Sequence, residues 1–175
     1  METIEIVRLE TAPKADIEAM LEGHVFHVTK LAYWESILMT GGLEPNTDYS
    51  FPTTFGSSSN SFFRNLGCIS VFDYRTPPTV ETKDVRYRCY PLQAAEPGTD
   101  GIVIMIFNPS IYDALIPWTT WKEHGDLKQM VVPYIEAGHP GPISTDKIDK
   151  LIYVRFEEDP NSFAAILKRS RQNAG

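Results

Sequence analysis

Two residues far apart in the chain invite a chemical reading before any element is assigned: His27, in the run HVFHVTK, and Glu136, in VVPYIEAGHPGPI. If residues 25–30 are extended, His27 and Thr29 project from the same face, while His24 projects from the other. That alternation argues against His24 and His27 as paired metal ligands. An imidazole beside a hydroxyl at a strand end can hold a ribose diol or a phosphate, although on spacing alone a hydrogen-bonded structural histidine is the simpler reading. A strand through residue 136 would place Glu136 on the face of Val132 and Tyr134, where the pattern expects apolar groups. A carboxylate there is costly unless paired, exposed or functional. A glutamate turned to solvent before Gly138 and a functional carboxylate both remain open.

A third run, SVFDYRTPP, alternates Ser70, Phe72 and Tyr74 with Val71, Asp73 and Arg75. Aromatic rings can line one side while a carboxylate and a guanidinium pair on the other. Phe72 and Tyr74 suit a core as well as a ligand platform. Arg75, at a strand end, is a candidate phosphate contact, with Arg64 in SFFRNLG a second. Phosphate-binding glycine loops, nucleophile elbows and paired-histidine metalloprotease helices are missing from the sequence. Cys68 and Cys89 have no close-spaced partner, which signals neither a zinc knuckle nor a disulfide framework, and Cys68 reads as a core thiol.

The elements that must position these groups follow from periodicity. A short strand is expected over residues 2–8, then a helix opened by Pro13 and ended by Gly23. Residues 25–29 suit a strand, with Thr29 as cap of a helix in which Leu31, Trp34, Ile37 and Leu38 recur at helical spacing before Gly41 and Gly42. Residues 44–61 read as a long loop, of the kind that is usually functional or mobile. Strands are expected at CISVFDY, around residues 85–90, at GIVIMIF, through QMVVPYIEAG with Pro133 marking an edge or bulge, and at KIDKLIYVRF. A helix over SFAAILKRSRQ closes the chain. Strands with few regular helices point to an α+β fold.

At 175 residues the chain suits one domain with one core. Its 42% hydrophobic and 22% charged residues are those of a globular protein. A net charge of −7 and a pI near 5.1 argue against a surface built to grip phosphate backbone throughout. Two local basic strips, Lys83–Arg86–Arg88 and Lys168–Gln172, read as solvated faces. Neither a membrane-spanning run nor a secretion signal is apparent, so a cytoplasmic protein without membrane contact is expected.

In their order, these pieces resemble the ADP-ribosyltransferase superfamily, in particular the group of DarT-like toxins and tRNA 2′-phosphotransferases. The first block is similar through His27-Val28-Thr29, Ile37-Leu38 and Gly42-Leu43-Glu44-Pro45. The last is similar through Glu136, Gly141-Pro142-Ile143, Lys147-Ile148 and the strand Leu151–Val154. The middle stretch, Phe72 to Pro77, is looser. The resemblance implies an antiparallel sheet split by a cleft that binds NAD as co-substrate, with ADP-ribose passed to a macromolecular acceptor, nucleic acid or protein. It implies a bacterial or phage toxin or defence factor with a possible inhibitor partner. An inactive binding module and an RNA 2′-phosphotransferase are the alternatives it leaves. By the same resemblance, His27 and Thr29 would hold the adenosine-side ribose, Tyr74 or Phe72 would stack on nicotinamide, Arg75 would sit on the diphosphate, and Glu136 would bond the nicotinamide ribose. Ser70 and Arg64 join them as cofactor contacts. No metal is implied.

Overall fold

A computed structural model describes residues 4–9, 14–55, 59–95, 99–124, 126, 128–156, 161, 166 and 169–171. The unbroken apolar run Ile102–Phe107 forms a buried interior strand of a seven-stranded sheet, since side chains on both of its faces must leave water. In chain order the elements are β1 (Glu5–Leu9), α1 (Lys14–Leu21), β2 (Val25–Lys30), α2 (Leu31–Thr40), β3 (Gly42–Leu43), α3 (Phe62–Asn65) and β4 (Cys68–Asp73). Then follow α4 (Val80–Arg88), β5 (Ile102–Phe107), β6 (Ile116–Pro117), α5 (Thr120–His124), β7 (Glu136–Pro140), β8 (Ile143–Ser144) and β9 (Ile148–Val154), with short 3₁₀ turns between some of them.

The main sheet runs β1-β9-β5-β2-β4-β7-β6, antiparallel except for β1 against β9, and β3 pairs with β8 apart from it. The fold is therefore α+β with a mostly antiparallel sheet and several short helices. One face packs Phe26, Val28, Ile104 and Ile152 against α1 through Ile17 and Leu21. The other packs Val25, Val103, Met105 and Leu151 with Trp34 of α2. No described helix is long and apolar enough to cross a membrane.

The sheet is not closed evenly. β2 pairs with β5 over five residues, Phe26 to Lys30, but meets β4 only at Val25–Asp73 and Phe26–Phe72. β4 goes on to pair with β7 from Phe72–Glu136 to Cys68–Pro140. Past Phe26, then, each of the two strands keeps only its outer neighbour and turns a backbone edge toward the gap between them.

Three expectations are corrected. Residues around 85–90 are the end of an α-helix and not a strand: Thr79 caps α4 by accepting a bond from the Thr82 amide at 3.3 Å, and Pro77 and Pro78 precede it. The alternation of Val85, Tyr87 and Cys89 imitates a strand inside a segment whose start signal is helical. The strand expected through residues 129–138 begins only at Glu136, because Pro133 and Tyr134, at φ +67°, turn the chain. Thr29 does not cap α2. It stays in β2, and Lys30 occupies the cap position without a side-chain bond. The exit of α2 follows expectation, with Gly41 left-handed at φ +83° and its N–H bonded to the carbonyls of Ile37 and Leu38. Most of the closing helix lies outside the described residues, as do residues 2 and 3 of the first strand.

Candidate functional site

The gap between β2 and β4 opens into a cavity of about 600 Å³, within the usual range for small-molecule sites. His27, Val28 and Thr29 line it from β2, and Cys68 through Phe72 line it from β4. Successive residues of both strands reach it because the cavity lies at their edges and not above one face of the sheet. Residues 31–40 add Tyr33, Ser36 and Thr40, and residues 44–55 add the half-exposed rings of Phe51 and Phe55. Glu136, Arg64 and the turn Met130–Val132 complete it.

His27 is fixed across the gap: its Nδ1 lies 2.9 Å from the carbonyl oxygen of Ser70. A carbonyl can only accept, so Nδ1 carries the proton and Nε2 is left with a lone pair. Burial lowers the imidazole's pKa and outweighs the opposing effect of that bond, so the ring is neutral at physiological pH. The side chain at this wall is thus an acceptor suited to a sugar hydroxyl, which answers the choice left open on spacing. The histidine is hydrogen-bonded structurally through one nitrogen and available through the other.

Glu136 opens β7 directly opposite Phe72. Its Oε2 accepts from the Val132 amide at 2.6 Å, and the Ser70 hydroxyl also bonds to it. The Glu136 amide in turn donates to the Val132 carbonyl at 3.1 Å, so the turn before β7 and the carboxylate hold each other. Burial raises the carboxyl's pKa above the ordinary range against the lowering effect of its two hydrogen bonds. Of the two readings of this glutamate, the solvent-turned one does not apply, because the side chain is half-buried and lines the cavity. Ser70 joins the walls: its carbonyl orients His27 and its hydroxyl holds Glu136.

Arg64 is buried, only 9% exposed, with its guanidinium over the Tyr49 ring at 4.7 Å. Ser61 caps α3 beneath it by accepting from the Arg64 amide. No carboxylate pairs with Arg64 among the described residues, which leaves a desolvated cation at the cavity wall. Phe72 stacks on Phe26 with ring centroids 5.0 Å apart and meets Phe55 edge-on, its ring partly accessible to the cavity.

Tyr74 and Arg75 are not part of this wall. β4 ends at Asp73, the Tyr74 amide bonds to the His24 carbonyl, and the Tyr74 ring turns into the core against Phe26 under the guanidinium of Arg86. Burial pushes the Tyr74 hydroxyl's pKa well up. Arg75 lies on the outer side, forked onto Asp73 at 2.8 and 2.6 Å and placed over the Tyr112 ring. The pairing of this guanidinium with a carboxylate was legible in the alternation; its distance from the site was not. The six other residues singled out for chemistry, His27, Thr29, Ser70, Phe72, Arg64 and Glu136, line one cavity, and Cys68, read as a core thiol, is buried at its wall with its pKa raised by burial.

The sequence reading missed Tyr33, Arg88, Tyr90 and Gln93. Tyr33 lies one turn into α2 on the side facing the gap, a position that helical spacing alone could have shown. The others depended on recognising α4. Comparison with family models, with curated proteins and with solved structures finds no match for this chain.

Proposed function

We propose that the protein is a NAD-dependent ADP-ribosyltransferase with its substrate seated in the gap between β2 and β4, an arrangement similar to the split sheet of that superfamily. The observation that carries this reading is the convergence of a neutral imidazole acceptor, a buried guanidinium that no carboxylate pairs with among the described residues, and a half-buried carboxylate on one cavity of about 600 Å³. The chemistry of that donor set fits NAD. Nε2 of His27 and the Thr29 hydroxyl suit a ribose diol, the Arg64 guanidinium suits a diphosphate, and the Phe72 ring suits a planar nicotinamide. Arg64 takes the role that the resemblance would give to Arg75.

In the reaction the glycosidic bond between ribose C1′ and the nicotinamide nitrogen breaks, and its electron pair leaves with the ring, which loses its positive charge. The sugar becomes oxocarbenium-like. The Glu136 carboxylate, bonded to a hydroxyl of that ribose, stabilises the developing charge more than it stabilises the ground state. The nucleophile of the acceptor then bonds to C1′ and gives up its proton. Burial around Glu136 strengthens this electrostatic effect and excludes water as a competing nucleophile.

A thermal-shift titration with NAD, together with an assay of nicotinamide release, tests the reading. Wild type is expected to be stabilised by NAD, Glu136→Gln to keep that stabilisation while losing turnover about 10²–10³-fold, and His27→Ala to lose it. A wild-type protein that neither gains stability with NAD nor releases nicotinamide sinks the proposal.

A further inference from the structure

A second recess, of about 540 Å³, adjoins the first and shares three of its wall residues, Arg88, Tyr90 and Gln93. Lys14, Phe156 and Tyr87, the last 85% exposed, line it as well. Its charged lining among the described residues is Lys14 and Arg88, both cationic, in a chain of net charge −7. Lys14 Nζ sits 5.6 Å from the Tyr90 ring centroid and 5.5 Å from that of Phe156, so its charge is held over ring faces, and no carboxylate among the described residues is paired with it. Arg88 is paired with Asp84 one turn earlier on α4, and both side chains of the pair stay exposed. Aromatic faces beside cations and an amide are the groups that hold a ring carrying a phosphate.

The shared wall also borders the cavity that Glu136 lines. Cys89, between Arg88 and Tyr90 in the chain, lines the first cavity and feels the negative charge of Glu136. A molecule in the recess would therefore lie against the same Arg88–Tyr90 wall that lines the cavity holding Glu136.

We propose that this recess is the acceptor site of the reaction described above, and that its occupant is a free nucleoside monophosphate, not the macromolecule that the sequence resemblance implies. The inference rests on the transferase reading for its chemistry. The recess offers two cations beside aromatic faces, enough for one phosphate and one base, and an acidic chain repels a long polyanion along most of its surface. The phosphate lies between Lys14 and Arg88, and the base against Tyr87 and Tyr90. Transfer forms a bond from a nucleotide oxygen or nitrogen to C1′ as nicotinamide leaves, and the proton of that nucleophile passes to water or to Glu136.

Calorimetric titration of the full chain with uridine monophosphate, without NAD, tests the site by itself, because a pyrimidine nucleotide does not mimic the adenosine half of NAD. Binding is expected in wild type and in His27→Ala, and to weaken about tenfold in Lys14→Ala and in Tyr87→Ala. Both latter variants should keep the NAD-induced thermal shift of wild type. Absence of uridine monophosphate binding, equal binding by all four proteins, or at least tenfold tighter binding of a single-stranded oligouridylate overturns the proposal. Nucleotide binding that responds to Lys14 and Tyr87 in a protein indifferent to NAD overturns the transferase reading and leaves the recess a nucleotide site.

Discussion

At the level of single side chains, Ser70 decides how the two walls of the cavity work together, and it does so with separate atoms. Its carbonyl fixes the His27 tautomer, and its hydroxyl bonds to Glu136 and favours the ionised carboxylate. Ser70→Ala removes the second bond and keeps the first. Without it the pKa of Glu136, already raised by burial, rises further. Because the carboxylate form is the one that stabilises positive charge, the acid limb of the pH profile for nicotinamide release is expected at higher pH in Ser70→Ala than in wild type, with NAD binding little changed. Rates measured across pH 4 to 8 check this, and an acid limb unmoved by the substitution removes Ser70 from any role in tuning Glu136. The same pair of residues shows what a sequence can and cannot supply. Alternation put His27 and Thr29 together, and a carboxylate on an apolar pattern marked Glu136. It could not tell that β4 stops at Asp73, and so it carried the alternation one step too far, to Tyr74, and put Arg75 ahead of Arg64.

At the scale of elements, α3 and β7 are coupled by an absent side chain. A Cβ on Gly138 would lie 2.2 Å from Cδ1 of Phe63, so β7 accepts the Phe63 ring only because residue 138 has none. Phe63 is wholly buried and is followed by Arg64 on the same helical turn. Gly138→Ala is expected to cost about 1–3 kcal/mol, read as a lower urea midpoint, and to weaken NAD binding as the helix that carries Arg64 shifts. Phe63→Leu in the same chain should restore part of both, since it removes ring atoms from the place the new methyl needs. If the double variant is no better than the single, the clash is not the cause. A smaller effect belongs to α4: Thr79→Ala removes its cap and should lower stability by ~1 kcal/mol without touching β2 or β4. That cap was visible as a threonine after two prolines and before a charged segment. The alternation of Val85, Tyr87 and Cys89 obscured it, because a period of two over six residues also occurs by chance within a helix. The long apolar run of β5 and the glycine exit of α2 were legible for the opposite reason: burial on both faces and a left-handed residue each have few alternative explanations.

Across the whole molecule, a sheet that opens between β2 and β4 leaves polar groups inside that a closed sheet would replace with packing, and this has a cost that depends on pH. Glu136 has a folded-state pKa raised above its unfolded value of ~4.3, so between those two values the folded chain binds more protons than the unfolded one. Its contribution is most favourable at low pH and is lost as pH rises through the folded value. His27 is lowered below its unfolded ~6.5, so the unfolded chain binds the extra proton there, and its contribution is lost as pH falls from ~6.5 through the folded value. The two groups oppose each other in mildly acid solution. Replacing one exposes the other. Glu136→Gln keeps an acceptor for the Val132 amide and has no charge to bury, so relative to wild type it is expected to gain stability as pH rises from 4 to 7. His27→Gln is expected to gain relative to wild type as pH falls over the same interval. Urea unfolding of the three proteins at each pH measures both trends, and curves that run parallel from pH 4 to 7 would show that neither group titrates differently in the folded chain. Opposite slopes would show that the cavity carries a stability cost on both walls, the condition expected of residues kept for binding and catalysis and not for packing.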